Sequence, residues 1–251
     1  MITNERQLTI VDLIKKEGNV TVDELAMRLK VSKMTIRRDL ERLQENNLLM
    51  RTHGGAMANR VLLNEAAYHS KREKNLEIKQ KLAVEAVKYI QPLTTVFIDA
   101  GTTTYEVATL LTNYTNLTII TNDIHIAFLL TGTNNQLIFL GGVVLKETGS
   151  TTDLFALNML DGFSIDLAIM ASSSIDNNMM ICTPELNRQQ IKKKVLEIAE
   201  KAMLVTDSSK FFQKALYKIG PIQLFDIVVT DLDLCEFDGI NLEDTKVITV
   251  K

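Results

Sequence analysis

Two helix-start signals lie close together near the N-terminus and leave almost no chain between the helices they open. Thr21-Val22-Asp23-Glu24 has the form of a capping box, in which the threonine hydroxyl and the glutamate carboxylate each accept from the other residue's otherwise unpaired backbone N–H. Ser32 is a second N-cap candidate, opening a helix that runs to about Asn46. The connector Lys30-Val31-Ser32 is so short that the two helices must cross steeply, which is the helix-turn-helix arrangement. A preceding helix, opened by Asn4 and closed at Glu17-Gly18-Asn19, carries Leu8, Val11 and Ile14 at helical spacing and supplies a third wall.

The helix after Ser32 divides its residues cleanly. Ile36, Leu40 and Leu43 share one face and must pack inward. Met34, Arg38 and Arg42 point away from that face, Thr35 and Arg37 flank it, and Lys33 stands at the start. Such a surface suits the major groove, because arginine grips guanine edges or phosphates and threonine touches the thymine methyl. Asp39 and Glu41 are expected to hold the arginines in place or to disfavour some bases. A solvated amphipathic helix is the alternative on pattern alone. Leu48 to His53 reads as a strand and Gly54-Gly55 as a tight turn, so a hairpin follows the recognition helix and offers Arg51 and His53 to the flanking backbone or minor groove. Residues 1–60 hold eleven Lys and Arg against eight Asp and Glu, while the rest holds seventeen against twenty-three. A basic head on an acidic body fits one end meeting a polyanion.

At 251 residues the chain is long enough for more than a minimal domain, with 46% apolar and 24% charged residues. It shows no signal segment and no apolar run able to span a bilayer, so the cytoplasm is the expected compartment and no membrane partner is expected. Cys182 and Cys235 fit neither a disulfide framework nor a metal quartet and are expected to be buried thiols; no metal or cofactor is expected. Residues 1–58 are thus expected to form the head and 59–75 a polar, solvated linker. Residues 76–251 are the body, with Leu82, Val84 and Val87 beginning its core.

From Lys81 onward, apolar runs alternate with helical patterns, which predicts an α/β fold with a largely parallel sheet. Strands are expected at Thr95–Ile98, Leu117–Thr121, Gln136–Leu140, Ile165–Ala171, Ala202–Thr206, Ile227–Thr230 and Val247–Val250. Ligands of such sheets bind at the C-terminal strand ends, so the residues that follow each strand are the informative ones. Asp99-Ala100-Gly101-Thr102-Thr103-Thr104 leads into a helix and offers N–H groups, hydroxyls and a positive dipole end to a phosphate, or else is simple helix capping. Asn122, Gly141-Gly142 and Asp207-Ser208-Ser209-Lys210 close later strands. If these ends converge, Lys210 can neutralise a phosphate and Asp99, Asn122 or Asp207 can bind sugar hydroxyls.

Val31-Ser32-Lys33-Met34-Thr35-Ile36-Arg37-Arg38-Asp39-Leu40, followed by His53-Gly54-Gly55-Ala56, resembles the DeoR family of bacterial regulators. The segments IDAGTTT, TIITND, FLGG and VTDSSKF are similar to the sensor domain of that family, and the two halves together cover nearly the whole chain. The resemblance implies a winged helix-turn-helix head. It also implies a body similar in fold to ribose-5-phosphate isomerase A, glucosamine-6-phosphate deaminase and the CoA transferases, with phosphorylated sugars as usual effectors. Asp99, Gly101 to Thr104, Asn122, Gly141, Gly142, Asp207 and Lys210 match its pocket motifs. One departure stands out: Ala171 to Asn178 lacks the glycines the family commonly carries after that strand, and the hydroxyl-rich run Thr148 to Asp153 has no assigned role.

The reading implied is a ligand-controlled repressor of a carbohydrate operon, a homodimer or homotetramer that leaves double-stranded operator DNA when a phosphorylated sugar binds. An activator would share every one of these residues. A sugar-phosphate isomerase or deaminase is the alternative of a different class. It would need an acid or base in the pocket, and the three histidines His53, His69 and His125 supply a poor choice of one.

Overall fold

The computed structural model describes residues 3–17, 19–45, 48–52, 54–57, 68–234 and 242–251, so His53 and Cys235 lie outside the described residues. The head is built from α1 (Thr3–Glu17), β1 (Asn19–Thr21), α2 (Val22–Leu29), α3 (Lys33–Glu45), β2 (Met50–Thr52) and β3 (Gly55–Met57). Both caps form. The Thr21 hydroxyl accepts from Glu24 N at 3.2 Å while Glu24 Oε2 accepts from Thr21 N at 2.9 Å, and Ser32 Oγ accepts from Thr35 N at 3.1 Å. Between them Lys30 takes a left-handed conformation, φ 53°, which turns the chain within three residues. Ile10, Val11, Ile14, Leu25, Ile36, Leu40 and Leu43 are buried together. Asn4 lies inside α1 rather than capping it, because the helix already begins at Thr3. The hairpin pairs Thr52 with Gly55, and β1 adds a third, unforeseen strand through Thr21↔Gly55.

The body consists of α4 (Tyr68–Glu73), α5 (Leu76–Ala86), β4 (Thr95–Ile98), α6 (Thr102–Leu111), β5 (Thr118–Thr121), α7 (Ile124–Leu130), β6 (Gln136–Phe139), β7 (Val144–Leu145), β8 (Ser150–Thr151), α8 (Leu154–Leu160), β9 (Ile165–Met170), β10 (Ser174–Ile175), β11 (Met180–Thr183), α9 (Leu186–Ile198), β12 (Ala199–Val205), β13 (Tyr217–Pro221), β14 (Ile227–Thr230) and β15 (Lys246–Thr249). Every strand expected from the sequence is present, its ends shifted by no more than three residues, and all seven join one parallel sheet in the order β15-β14-β12-β9-β4-β5-β6. Successive residues face opposite layers. Val96, Ile98, Leu167 and Ile169 meet Leu82, Val107 and Leu111 of the helices on one side, whereas Phe97, Ala168 and Met170 meet Ile191 and Val195 of α9 on the other. Burial on both faces explains why these strands read as continuous apolar runs.

Strand order reverses at β4. The chain runs outward from β4 through β5 to β6, then returns to the other side of β4 with β9, β12, β14 and β15. A crevice therefore opens beyond the C-terminal ends of β4 and β9, where adjoining connections leave in opposite directions. A small antiparallel sheet, β10-β11-β13, packs beyond it and was not anticipated. The segment expected to be a solvated linker is in its described part a helix: α4 buries Tyr68, which stacks on His125 with ring centroids 4.0 Å apart. Among the described residues, no helix is long and apolar enough to cross a membrane.

Candidate functional site

On the head, α3 turns Lys33, Met34, Arg37, Arg38 and Arg42 outward, with Thr35 half-buried at the edge. Ser32 serves α3 as its cap, and Lys33 is engaged with Asp23 at 2.9 Å. Arg37, Arg51 and Gly54 line one cleft, so the recognition helix and the wing present their cations together. The acidic residues of α3 divide. Glu41 Oε1 accepts from the wing Arg51 at 2.8 Å and so ties wing to helix. Asp39 holds none of the outward arginines; it is only 2% exposed and accepts from Arg6 Nε at 2.5 Å and Nη2 at 3.2 Å, bolting α3 to α1.

In the body, a small cleft of about 40 Å³ sits at the β4/β9 crevice. Gly101, Thr102, Thr103 and Lys210 line it as the sequence suggested, joined by Tyr68 and Lys71 of α4, Thr148, Ala171 to Ser173, and Arg188 of α9. Of the other expected residues, Asp99, Thr104, Asn122 and Asp207 frame the cleft without lining it. Asp99 accepts from Ala171 N at 3.0 Å and is bound by the buried Lys192, which fastens the end of β4 to that of β9 and to α9. Thr104 Oγ1 donates to the Gly101 carbonyl at 2.9 Å, and Asn122 joins Ala100 N (3.0 Å) to the Thr151 carbonyl (3.1 Å). Asp207 accepts from Asn75 Nδ2 at 2.9 Å. Burial would raise its carboxyl, but Lys210, Ser209, Asn75 and Lys79 overcome this and hold it below the usual carboxylate range. Gly141 and Gly142 follow the edge strand β6, two strands away from β4. Gly142 has φ +134°, and a Cβ there would lie 2.2 Å from Asp153 Oδ1, so this glycine serves a turn.

The cleft is a cationic concavity. Burial and the neighbouring charges of Arg188, Lys210 and Lys192 push the Lys71 ammonium down to about 6. Gly101 makes no side-chain cap at the start of α6. Tyr68 lines the same cleft, and among the described residues its buried hydroxyl has no hydrogen-bond partner. Cations and open helix N–H groups on one concave surface are what a phosphate monoester requires. The hydroxyl-rich run and the glycine-poor stretch acquire roles here. Thr148 lines the cleft while Thr151 and Asp153 fasten β8 and α8, and Ser172 bonds Thr206 at 2.8 Å on the rim. Sequence reasoning missed Arg188 and Lys192. Their signal was present, since Arg188, Ile191, Lys192 and Val195 follow the spacing of a buried helical stripe and two of the four are cations.

Residues 6–61 match the family described as the DeoR-like helix-turn-helix domain, and residues 74–232 match the DeoR C terminal sensor domain. Over 232 residues the chain is 33% identical to the glycerol-3-phosphate regulon repressor of Escherichia coli K12, covering 92% of each chain. Over 231 residues it is 31% identical to the HTH-type transcriptional regulator GlpR of Haloferax volcanii, covering 92% of this chain and 91% of that one. Among solved structures, ribose 5-phosphate isomerase A from Methanocaldococcus jannaschii aligns with a TM-score of 0.42 and 17% identity over 55% of each chain.

Proposed function

Because this chain belongs to the DeoR family of transcriptional regulators, we propose that it represses a carbohydrate operon and leaves its operator when a phosphorylated sugar fills the cleft at the β4/β9 crevice. It is a DNA-binding regulator and not an enzyme, as its relatives are. The observation that carries the effector reading is the meeting of Lys71, Arg188 and Lys210 with the open start of α6 in one concavity. The dianion binds there and the sugar hydroxyls extend along Thr148, Ser172 and Ser173. Residues 1–58 act as the reading head, with Arg37, Arg38 and Arg42 entering the major groove and Arg51 and the wing meeting the backbone.

A single helix-turn-helix reads only a half-site, so the working unit is at least a dimer. The body offers an apolar surface for the second copy on α8, where Leu154, Phe155 and Met159 are exposed, with Val143 held beside them through its N–H bond to Asp153 at 2.7 Å.

The test is operator binding followed by gel shift across a panel of phosphorylated sugars, beginning with glycerol 3-phosphate because a relative is named for it. Operator affinity is expected to fall steeply with salt and to fall again with the cognate compound. Arg38→Ala is expected to weaken specific binding by about 1–3 kcal/mol, and Arg188→Met to abolish the response to effector. Operator affinity indifferent to every phosphorylated sugar would remove the sensor half of this reading.

A further inference from the structure

We infer that Met34 reads a thymine in the operator, its side chain resting against the C5-methyl group that thymine alone among the four bases holds into the major groove. This rests on the reading of α3 as the helix that enters the groove, and it adds the chemistry of one base and the side chain that recognises it.

The first turn of α3 carries the inference. A recognition helix meets base edges with its N-terminal residues, which here are Lys33, Met34 and Thr35. Two of the three are engaged within the protein. The Lys33 ammonium lies 2.9 Å from Asp23 Oδ2 of α2. Thr35 is half-buried, its N–H donates to Ser32 Oγ at 3.1 Å, and the two hydroxyl oxygens lie 2.9 Å apart. Short, and held at the helix start, Thr35 reaches little beyond the surface of α3, so the contact with a thymine methyl expected of threonine passes to its neighbour. Met34 is unbranched, has three rotatable bonds and is 57% exposed.

The surroundings of Met34 decide what it meets. Arg37 and Arg38, both exposed, follow it at the three- and four-residue spacing that places side chains on one helix face. Arg37 in turn lines one cleft with Arg51 and Gly54 of the wing. Ile36, Leu40 and Leu43 fix the other side of α3 in the core, which leaves Met34 outside. A single exposed apolar side chain is ordinary on a protein surface; one set among cations that meet DNA loses its water when the complex forms. Against a polar base edge, the thioether would strip hydration and return no hydrogen bond, which costs free energy. The thymine methyl is the apolar group that the major groove offers, and burying it against Met34 is favourable. One helical turn advances about 5.4 Å, against about 3.4 Å per base step, so Arg37 or Arg38 meets a base one or two steps from that thymine, where a guanine presents it with two acceptors.

The test starts from an operator duplex selected by the full chain from a random-sequence pool. Each thymine of the half-site is replaced in turn by deoxyuridine, which pairs with adenine as before and lacks only the methyl group. Affinities are measured by fluorescence anisotropy at one fixed salt concentration. For the native chain, one thymine is expected to respond, with a loss of roughly fourfold when it is replaced in one half-site and roughly fifteenfold in both. Met34→Ala, at an exposed helical position where alanine is well tolerated, is expected to bind the thymine and uracil duplexes equally, both as weakly as the native chain binds uracil. Met34→Leu is expected to keep a preference for thymine. Met27→Ala, which removes a methionine exposed on α2, is expected to keep the full native difference. A preference for thymine that survives Met34→Ala, or that Met27→Ala removes equally, would overturn the role of Met34. A native chain indifferent to every replacement would overturn it too, and the reading of α3 would stand as long as Arg38→Ala still weakens binding to the selected duplex. Indifference to both the methyl groups and Arg38→Ala would overturn the two together.

Discussion

Asp39 stands in the arginine-rich run of the recognition helix and yet belongs to the core. In sequence it is one acid among cations, and the expectation that it holds those cations was reasonable; only the packing of α1 against α3 brings Arg6 within 2.5 Å of it. Asp123 repeats the lesson with the opposite sign. It follows β5 as the cap of α7: its Oδ1 accepts from His125 N at 2.8 Å and Ile126 N at 3.3 Å, but among the described residues its buried Oδ2 has no partner. Burial raises this carboxyl to about 7, against the two N–H bonds that pull it down. A folded-state value above the unfolded one means that the contribution to stability is present at low pH and is lost as pH climbs from about 4 to about 7. Asp123→Asn keeps the cap and removes the buried charge. It is expected to stabilise the chain by roughly 2–4 kcal/mol at pH 8 and by less at pH 5. Chemical denaturation at the two pH values checks this, and an equal effect at both would assign the gain to something other than ionisation.

At the scale of elements, the head shows why a motif has the residues it has. Gly54 and Gly55 read as a turn, and a two-residue hairpin turn was all the sequence required. The structure separates them. A Cβ on Gly54 meets nothing within 4 Å, whereas one on Gly55 would lie 1.9 Å from the Val20 carbonyl oxygen and 2.7 Å from Thr21 Cα. That approach exists because β1, three residues long and invisible to a periodicity argument, pairs with β3. Gly55→Ala is expected to cost about 2 kcal/mol or more through backbone displacement in the head, while Gly54→Ala changes stability by less than about 0.5 kcal/mol. Thermal unfolding of both variants compares them directly; equal melting temperatures would mean that the wing sheet tolerates separation of its strands. The helix α4 was missed for a related reason. Six residues with one buried side chain carry too little periodicity to stand out from a polar connector, and the helix is held by its docking on α6 and α7.

At the scale of the whole molecule, the exposed apolar residues of α8, with Phe155 73% exposed among them, are the surface that the proposed dimer would cover. Phe155→Glu is expected to shift the sedimenting species to the monomer and to weaken operator binding, with the response of the isolated cleft to anions retained. An unchanged oligomer would move the interface elsewhere. The sequence by itself determined what local chemistry controls. The two caps and the short turn made the helix-turn-helix, the apolar runs made the seven strands, and the face of α3 left its arginines outside, because each depends on residues within a few positions of one another. It could not determine which strand ends meet. That depends on the order in which strands pair, and the order follows from burying both sheet faces at once, a condition satisfied only by the complete chain. Hence Gly141 and Gly142 went to a distant edge, Asp99 and Asn122 went beneath the cleft, and Lys71 and Arg188, 117 residues apart in sequence, came to line the same cavity.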